Sequence, residues 1–203
     1  MKINELPTPC YVIDENIIEE NCKVLADVMK KTGCHVLLAQ KAFSNFALYP
    51  LIGKYLSGTT ASGLYEARLG REEMGRENHV FAPAYKDEDM DELVKICDHI
   101  VFNSISQLEK HREKCRNVSI GIRVNPEFST QNGHEIYDPC GKGSRLGVTA
   151  DLLRTADLTG IDGLHFHTLC EQNSDDLKKT LDVVEEKFDF LLRKVKWVNF
   201  GGG

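Results

Sequence analysis

The chain repeats one unit: a short apolar run, then a stretch with one apolar and one charged face. HVLLAQ (35–40) precedes a helical segment over about 45–55, GTTAS (58–62) precedes LYEARLGREEM, and HVFAPA (79–84) precedes DEDMDELVKIC. HIVFN (99–103) leads into SISQLEKHREKC, and VSIGIRVN (118–125) into a polar stretch and then TADLLRTA. GLHFHTL (163–169) leads into DDLKKTLDVVEEKFDFLLRKV, and WVNFGGG (197–203) follows. Short apolar strands alternating with amphipathic helices specify a parallel sheet, because the helical crossovers cover both of its faces. An open doubly wound sheet and a closed (β/α)8 barrel share this rhythm. Two features favour the barrel. About seven units follow in near-regular succession, and polar or ionisable residues recur at strand C-terminal ends: Lys41, Ser62, Asn103, Asn125, His167 and Asn199. Barrel enzymes place their chemistry at that end. The expected organisation is a lead-in strand and helix over residues 1–34, then a partial α/β barrel over 35–203.

Local signals set the boundaries. CYVID (10–14) reads as an early strand outside the barrel. Asp87 is the expected N-cap of its helix, and Ser104 with Gln107 has capping-box spacing. PEFSTQNGHEIYDPCGKG (126–143) is too long for an ordinary connector and reads as a functional or mobile loop. A (β/α)8 barrel takes roughly 250 residues. This chain has 203 and its last strand runs into Gly201-Gly202-Gly203, so a piece of a longer protein, or a truncated product, is expected.

Composition narrows the function classes. A net charge of −6, with Lys and Arg scattered among acidic residues, argues against a nucleic-acid partner, which needs clustered cations. No apolar run suits a signal peptide or a bilayer span, so a cytoplasmic location without a membrane partner is expected. The seven cysteines contain no CxxC pair and read as free thiols, which leaves zinc ribbons and thioredoxin-like sites without support.

Several residues could carry chemistry. Lys41, in LLAQKAFS, follows a buried-type strand; an amine in apolar surroundings loses its proton readily and can condense with an aldehyde, whereas a lysine at a strand end can also simply reach solvent. Gly201, Gly202 and Gly203 present backbone N–H groups suited to a phosphate, or form a flexible tail. His165 and His167 lie two apart and face one side. With Cys170 and Glu171 nearby they could be metal ligands, but a stable site needs three or four well-placed groups; a His167 ring lying flat against an aromatic cofactor, or a satisfied core histidine, serves equally well. Arg145 in SRLG and Arg123 in IRVN could each hold a cofactor oxygen by a charge-assisted hydrogen bond, or lie on the surface.

In chain order, the lysine after the first barrel strand, RVNP, RLG, FH and NFGGG resemble the fold-type III pyridoxal-phosphate (PLP) enzymes, the group of alanine racemase, ornithine decarboxylase and diaminopimelate decarboxylase. PTPCYVID looks like that group's lead-in strand, and LLAQKAFS occupies the place of its lysine motif. IRVNPEFS resembles the diaminopimelate decarboxylase segment, and SRLGV stands where that enzyme has SKFG. KAFS with LHFHTLCEQ, where the siblings read HxGS, is similar to the carboxynorspermidine decarboxylase family.

The resemblance implies a PLP-binding (β/α)8 TIM barrel of the alanine racemase-like type, incomplete here and without its C-terminal β-domain. It implies a carboxy-lyase that decarboxylates carboxynorspermidine or carboxyspermidine to norspermidine or spermidine in polyamine biosynthesis. Lys41 then carries PLP and His167 stacks on its ring, both as catalytic residues. Arg145 sits by the ring oxygen, Gly201 to Gly203 receive the phosphate, and Glu171 contacts a substrate amine. No metal enters. The acid for the pyridine nitrogen, and the groups exchanged across a homodimer, fall beyond residue 203. Two other readings stay open: a decarboxylase of diaminopimelate or a related basic amino acid, and a non-catalytic PLP-barrel binding protein or inactive fragment. HTLCEQ favours the first reading over the sibling decarboxylase.

Overall fold

The computed structural model of the chain describes residues 3–131, 136 and 138–202. Seven parallel strands lie in the order of the sequence: β1 (Leu37–Ala39), β2 (Gly58–Ala61), β3 (Glu77–Phe81), β4 (His99–Phe102), β5 (Ser119–Arg123), β6 (Ile161–His165) and β7 (Trp197–Asn199). Helix α1 (Glu15–Thr32) precedes them. The crossovers carry α2 (Tyr49–Ile52), α3 (Leu64–Leu69), α4 (Asp87–Ile96), α5 (Ile105–His111), α6 (Ala150–Thr155) and α7 (Ser174–Leu192). Sequential order with helical crossovers is the pattern of a barrel wall, so the expected α/β barrel is what the chain builds, with β1 and β7 as its two edges.

The main core lies between sheet and helices. Val80, Ile100, Phe102, Ile122 and Leu164 from the strands meet Met90, Leu93, Leu108, Leu153, Val184 and Phe188 from the helices. Burying one such phenylalanine side chain is worth roughly 1.5–3 kcal/mol. A smaller cluster of Cys22, Leu48, Ile52 and Leu56 holds α1 and α2 against the β1 side.

The other face of the sheet is layered by the two-residue alternation of the strands. Toward the N-terminal end, His79 pairs in register with His99, and Gly121 with Gly163 and then Trp197. Both glycines are required by the indole: a Cβ on Gly163 would come within 2.0 Å of it, and one on Gly121 within 2.4 Å. Trp197 also donates to Ser119 Oγ at 2.8 Å. Burial, with the neighbouring His79, pushes His99 down to about 4. Burial likewise lowers His79, so both rings are neutral at pH 7. One layer up stand Phe81, Arg123, His165 and Asn199, with Arg123, His165 and Asn199 paired in register.

Four local expectations need correction or sharpening. Cys10–Asp14 forms no strand, and Tyr11 is fully exposed, because an extended segment needs a partner edge and none lies beside it among the described residues. Asp87 is the first residue of α4 rather than its cap; Lys86 takes that place, and Asp87 pairs with Lys110 at 2.6 Å. The segment over about 45–55 is shorter than expected: a 3-10 turn at Phe46–Leu48 followed by the four residues of α2. Ser104 does cap α5, accepting from Gln107 N at 3.3 Å, but the Gln107 side chain reaches back to Asn103 N at 3.0 Å.

Candidate active site

Lys41 stands in the turn that ends β1. The turn is closed by Ala42 N and Phe43 N donating to Ala39 O at 3.0 and 3.2 Å. It is anchored by buried Gln40, whose side-chain oxygen accepts from Tyr49 Oη at 3.1 Å. The lysine itself is exposed, not pressed into apolar surroundings as the strand before it suggested, because β1 is an edge and its rim is open.

His167 follows β6. Phe166 N donates to Asn199 O at 3.0 Å, which ties this segment to β7. The Arg123 guanidinium donates to His167 O at 3.1 Å, and Gly202 N donates to His167 Nδ1 at 3.2 Å. Burial pushes the imidazole down to about 4, and the charges of Lys41 and Arg123 add to that. The ring is neutral at pH 7.

Arg123 is the buried centre of this end, only 4% exposed. Its guanidinium lies 4.8 Å over the Phe81 ring. Burial lowers it to about 10. Beneath it His165, tilted against Phe81 at 5.3 Å, is pushed down to about 3 by burial and by Arg123 and His167. Cys140 is near enough to feel Arg123, yet burial lifts its thiol to about 11, which keeps it protonated. The sequence had offered Arg123 as a surface residue or an oxygen-binding one; its register with Gly121 on the inward face is the signal that places it inside.

The glycine run lies beside His167. Gly201 has a φ of +72°, and a Cβ there would meet Phe166 O at 2.6 Å and His167 Nδ1 at 2.7 Å, so only glycine fits. Its N–H donates to Asn199 Oδ1 at 2.8 Å. Gly201 and Gly202 line a cleft of about 210 Å³ with Asn173 and Ser174 at the start of α7. A long helix N-terminus beside exposed glycine backbone suits an anion. Gly203 lies outside the described residues.

Arg145 is not brought into this cluster. It is exposed and lines a separate cleft of about 500 Å³ with Ser104, Glu109 and Leu152. Its backbone is held: Asn103 donates to Arg145 O at 2.8 Å and accepts from Gly147 N at 2.9 Å. Glu171 is exposed with a φ of +53°, a left-handed conformation that a non-glycine residue adopts only when its surroundings impose it. Gln131 Nε2 donates to Cys170 O at 3.1 Å and to Gln172 Oε1 at 3.0 Å, and Gln172 donates to Thr130 Oγ1 at 2.6 Å. The start of the long loop thus clamps the residues on both sides of Glu171; sequence reasoning missed the two glutamines, whose contact spans 41 positions.

The strand order and the rim are those of part of a parallel α/β barrel. No model of a protein family matches the chain. It is 43% identical, over all 203 of its residues, to a carboxynorspermidine/carboxyspermidine decarboxylase of Campylobacter jejuni, of which it covers 53%. It is 38% identical over its whole length to a carboxyaminopropylagmatine decarboxylase of Synechocystis, of which it covers 52%. The crystal structure of a Campylobacter jejuni carboxynorspermidine decarboxylase complexed with norspermidine superposes with a TM-score of 0.90 at 42% identity, over 98% of this chain and 51% of that one. The lysine decarboxylase of Selenomonas ruminantium shares the fold alone, with a TM-score of 0.78 at 17% identity. The chain spans about half the length of the relatives it matches. The likeness drawn from KAFS and LHFHTLCEQ is borne out: these relatives are carboxynorspermidine/carboxyspermidine decarboxylases and a sibling.

Proposed function

We propose that the protein carrying this chain is a PLP-dependent carboxy-lyase of polyamine biosynthesis, acting on carboxynorspermidine or carboxyspermidine. One observation carries the reading. Lys41, neutral His167 and the glycine backbone each follow the C-terminal end of a strand in a parallel α/β sheet that is 43% identical throughout to such a decarboxylase.

The residues fit the cofactor. Lys41 would supply a solvent-open amine for its aldehyde, and the His167 ring would stack on its ring. The start of α7 and Gly203 would take its phosphate, beside Gly201 and Gly202, whose own N–H groups stay on Asn199 Oδ1 and His167 Nδ1. When bound, PLP supplies the electron sink that accepts the pair left by the departing carboxylate. The chain's own groups prepare that site. Arg123 fixes the His167 backbone, and burial, with Lys41 and Arg123, keeps the imidazole neutral, so the ring would pack flat without carrying charge to an electron-poor heterocycle. The Gly202 N–H bond to His167 Nδ1 sets the ring's tautomer: the accepting Nδ1 leaves the proton on Nε2. Arg145, which lines a separate cleft, would have to move with its loop to meet the ring oxygen, and Glu171, held in a fixed conformation, would offer a carboxylate to a substrate amine. We further read the enzyme as a cytoplasmic homodimer, without nucleic-acid or membrane partners. No helix among the described residues is long and apolar enough to cross a membrane. Residues 1–34 are its lead-in segment and 35–203 its barrel portion.

The second reading replaces the substrate by carboxyaminopropylagmatine, and is favoured by the 38% identical relative. One CO2-release assay of the full-length enzyme, with carboxynorspermidine, carboxyspermidine, carboxyaminopropylagmatine and diaminopimelate in competition, decides. Preference for either of the first two is expected. Preference for the third moves the protein to the sibling reading, and preference for diaminopimelate ends both.

A further inference from the structure

The end of the barrel away from Lys41 carries a second constellation. Glu77 begins β3, His79 follows two residues on, and His99 begins β4 in register with His79. One ligand atom from each lies within 4.8 Å of the other two. Glu77 Oε1 is 2.7 Å from His79 Nε2 and 3.6 Å from His99 Nδ1. A tetrahedral Zn2+ with bonds of about 2.0–2.2 Å holds its ligand atoms roughly 3.3–3.6 Å apart, so the Glu77–His99 pair stands at that spacing and the Glu77–His79 hydrogen bond must open by about half an ångström. His99 Nδ1 is buried and has no hydrogen-bond partner, a lone pair left over by the protein's own bonding. The other carboxylate oxygen, Glu77 Oε2, is held by His35 Nδ1 at 2.9 Å, the kind of outer contact that fixes a ligating carboxylate. The His35 side chain is 68% exposed, which leaves a way in from solvent.

We propose that Glu77, His79 and His99 bind one late first-row divalent cation of the Zn2+ type, with His35 positioning the carboxylate. Two imidazoles and a carboxylate are the donor set for such an ion, and three protein ligands leave a fourth position for water. The ion staples β3 to β4 at the face opposite the proposed active site, so its role is structural. Ligation must turn the two rings out of their stack, now 4.0 Å between centroids, so that both lone pairs converge. Trp197, edge-on to His99 at 5.1 Å, feels that movement.

The test is a titration of metal-stripped, full-length protein with Zn2+ followed by calorimetry, and with Co2+ followed by its visible d–d bands. One equivalent bound is expected, with nitrogen and oxygen coordination in the cobalt spectrum and a raised Tm on zinc. Glu77→Gln should abolish the stoichiometric binding. His35→Ala, a change at an exposed side chain that leaves the fold intact, should weaken it about 10- to 100-fold. Failure to bind one equivalent overturns the proposal. So does binding that is equally tight in both variants, or a thiolate-to-cobalt charge-transfer band, which assigns the ion to the cysteines.

Discussion

The two ends of the barrel interior are built from the same residue types and behave differently. At the N-terminal end, polar side chains satisfy one another: Glu77 holds His35 and His79, and Trp197 bonds Ser119 across Gly121 and Gly163. At the C-terminal end, side chains are held mainly by backbone, with Arg123 on His167 O and Gly202 N on His167 Nδ1. Lys41, Gly201 and Gly202 stay exposed there. A side chain bonded to its neighbours takes a new partner only by giving one up. One fixed by backbone keeps a face free for a ligand, which is what a site at strand ends requires.

The largest expected effect breaks the upper layer by pH. His165 is pushed from 6.5 down to about 3, so the folded state refuses a proton that the unfolded chain takes below 6.5. Stability from this group is full above pH 6.5 and is lost as pH falls toward 3, at ~1.4 kcal/mol per pH unit. His165→Gln should flatten the acid limb of Tm against pH; an unchanged limb would show that the ring titrates normally.

Next, Arg123→Met removes a buried charge that has no carboxylate paired with it among the described residues. Loss of the desolvation cost should hold or raise Tm. Decarboxylation should nonetheless fall about a hundredfold, because His167 loses its backbone anchor. A large fall in Tm would make Arg123 a structural residue. The smallest effects come from matched glycines at the two ends. Gly163→Ala should cost about 1–3 kcal/mol in denaturant unfolding, since its Cβ collides with Trp197, and leave cofactor retention alone. Gly201→Ala should cost about 1–2 kcal/mol through its left-handed backbone and loosen PLP, read as faster cofactor loss on dialysis. The reverse pattern would dissolve the contrast between the ends.

The fold was legible because strand and helix periods are local, and seven apolar runs announce seven parallel strands. That Lys41 and His167 stand just past strand ends was legible because each closes such a run. CYVID misled because an apolar alternation specifies a strand only where a partner edge exists. Asp87 misled because its carboxylate has a competing use, the ion pair with Lys110. Arg123 was half-legible: its type reads as surface, and only its register with Gly121 reads as interior. The Glu77, His79 and His99 grouping was hidden, since the strand pairing that brings His79 beside His99 is a tertiary fact. The metal-ligand spacing the sequence did display, at His165, His167 and Cys170, assembles no three-ligand group among the described residues.

The central claim is that Lys41, exposed just past the end of β1, is the cofactor's attachment point. Borohydride reduction of the full-length PLP-loaded enzyme, followed by peptide mapping, tests it most directly. The account predicts a pyridoxyl group fixed to Lys41 and none in the Lys41→Ala protein, which should also lack decarboxylation. A label on another lysine, such as Lys54 or Lys142, or no label with activity retained, would contradict it.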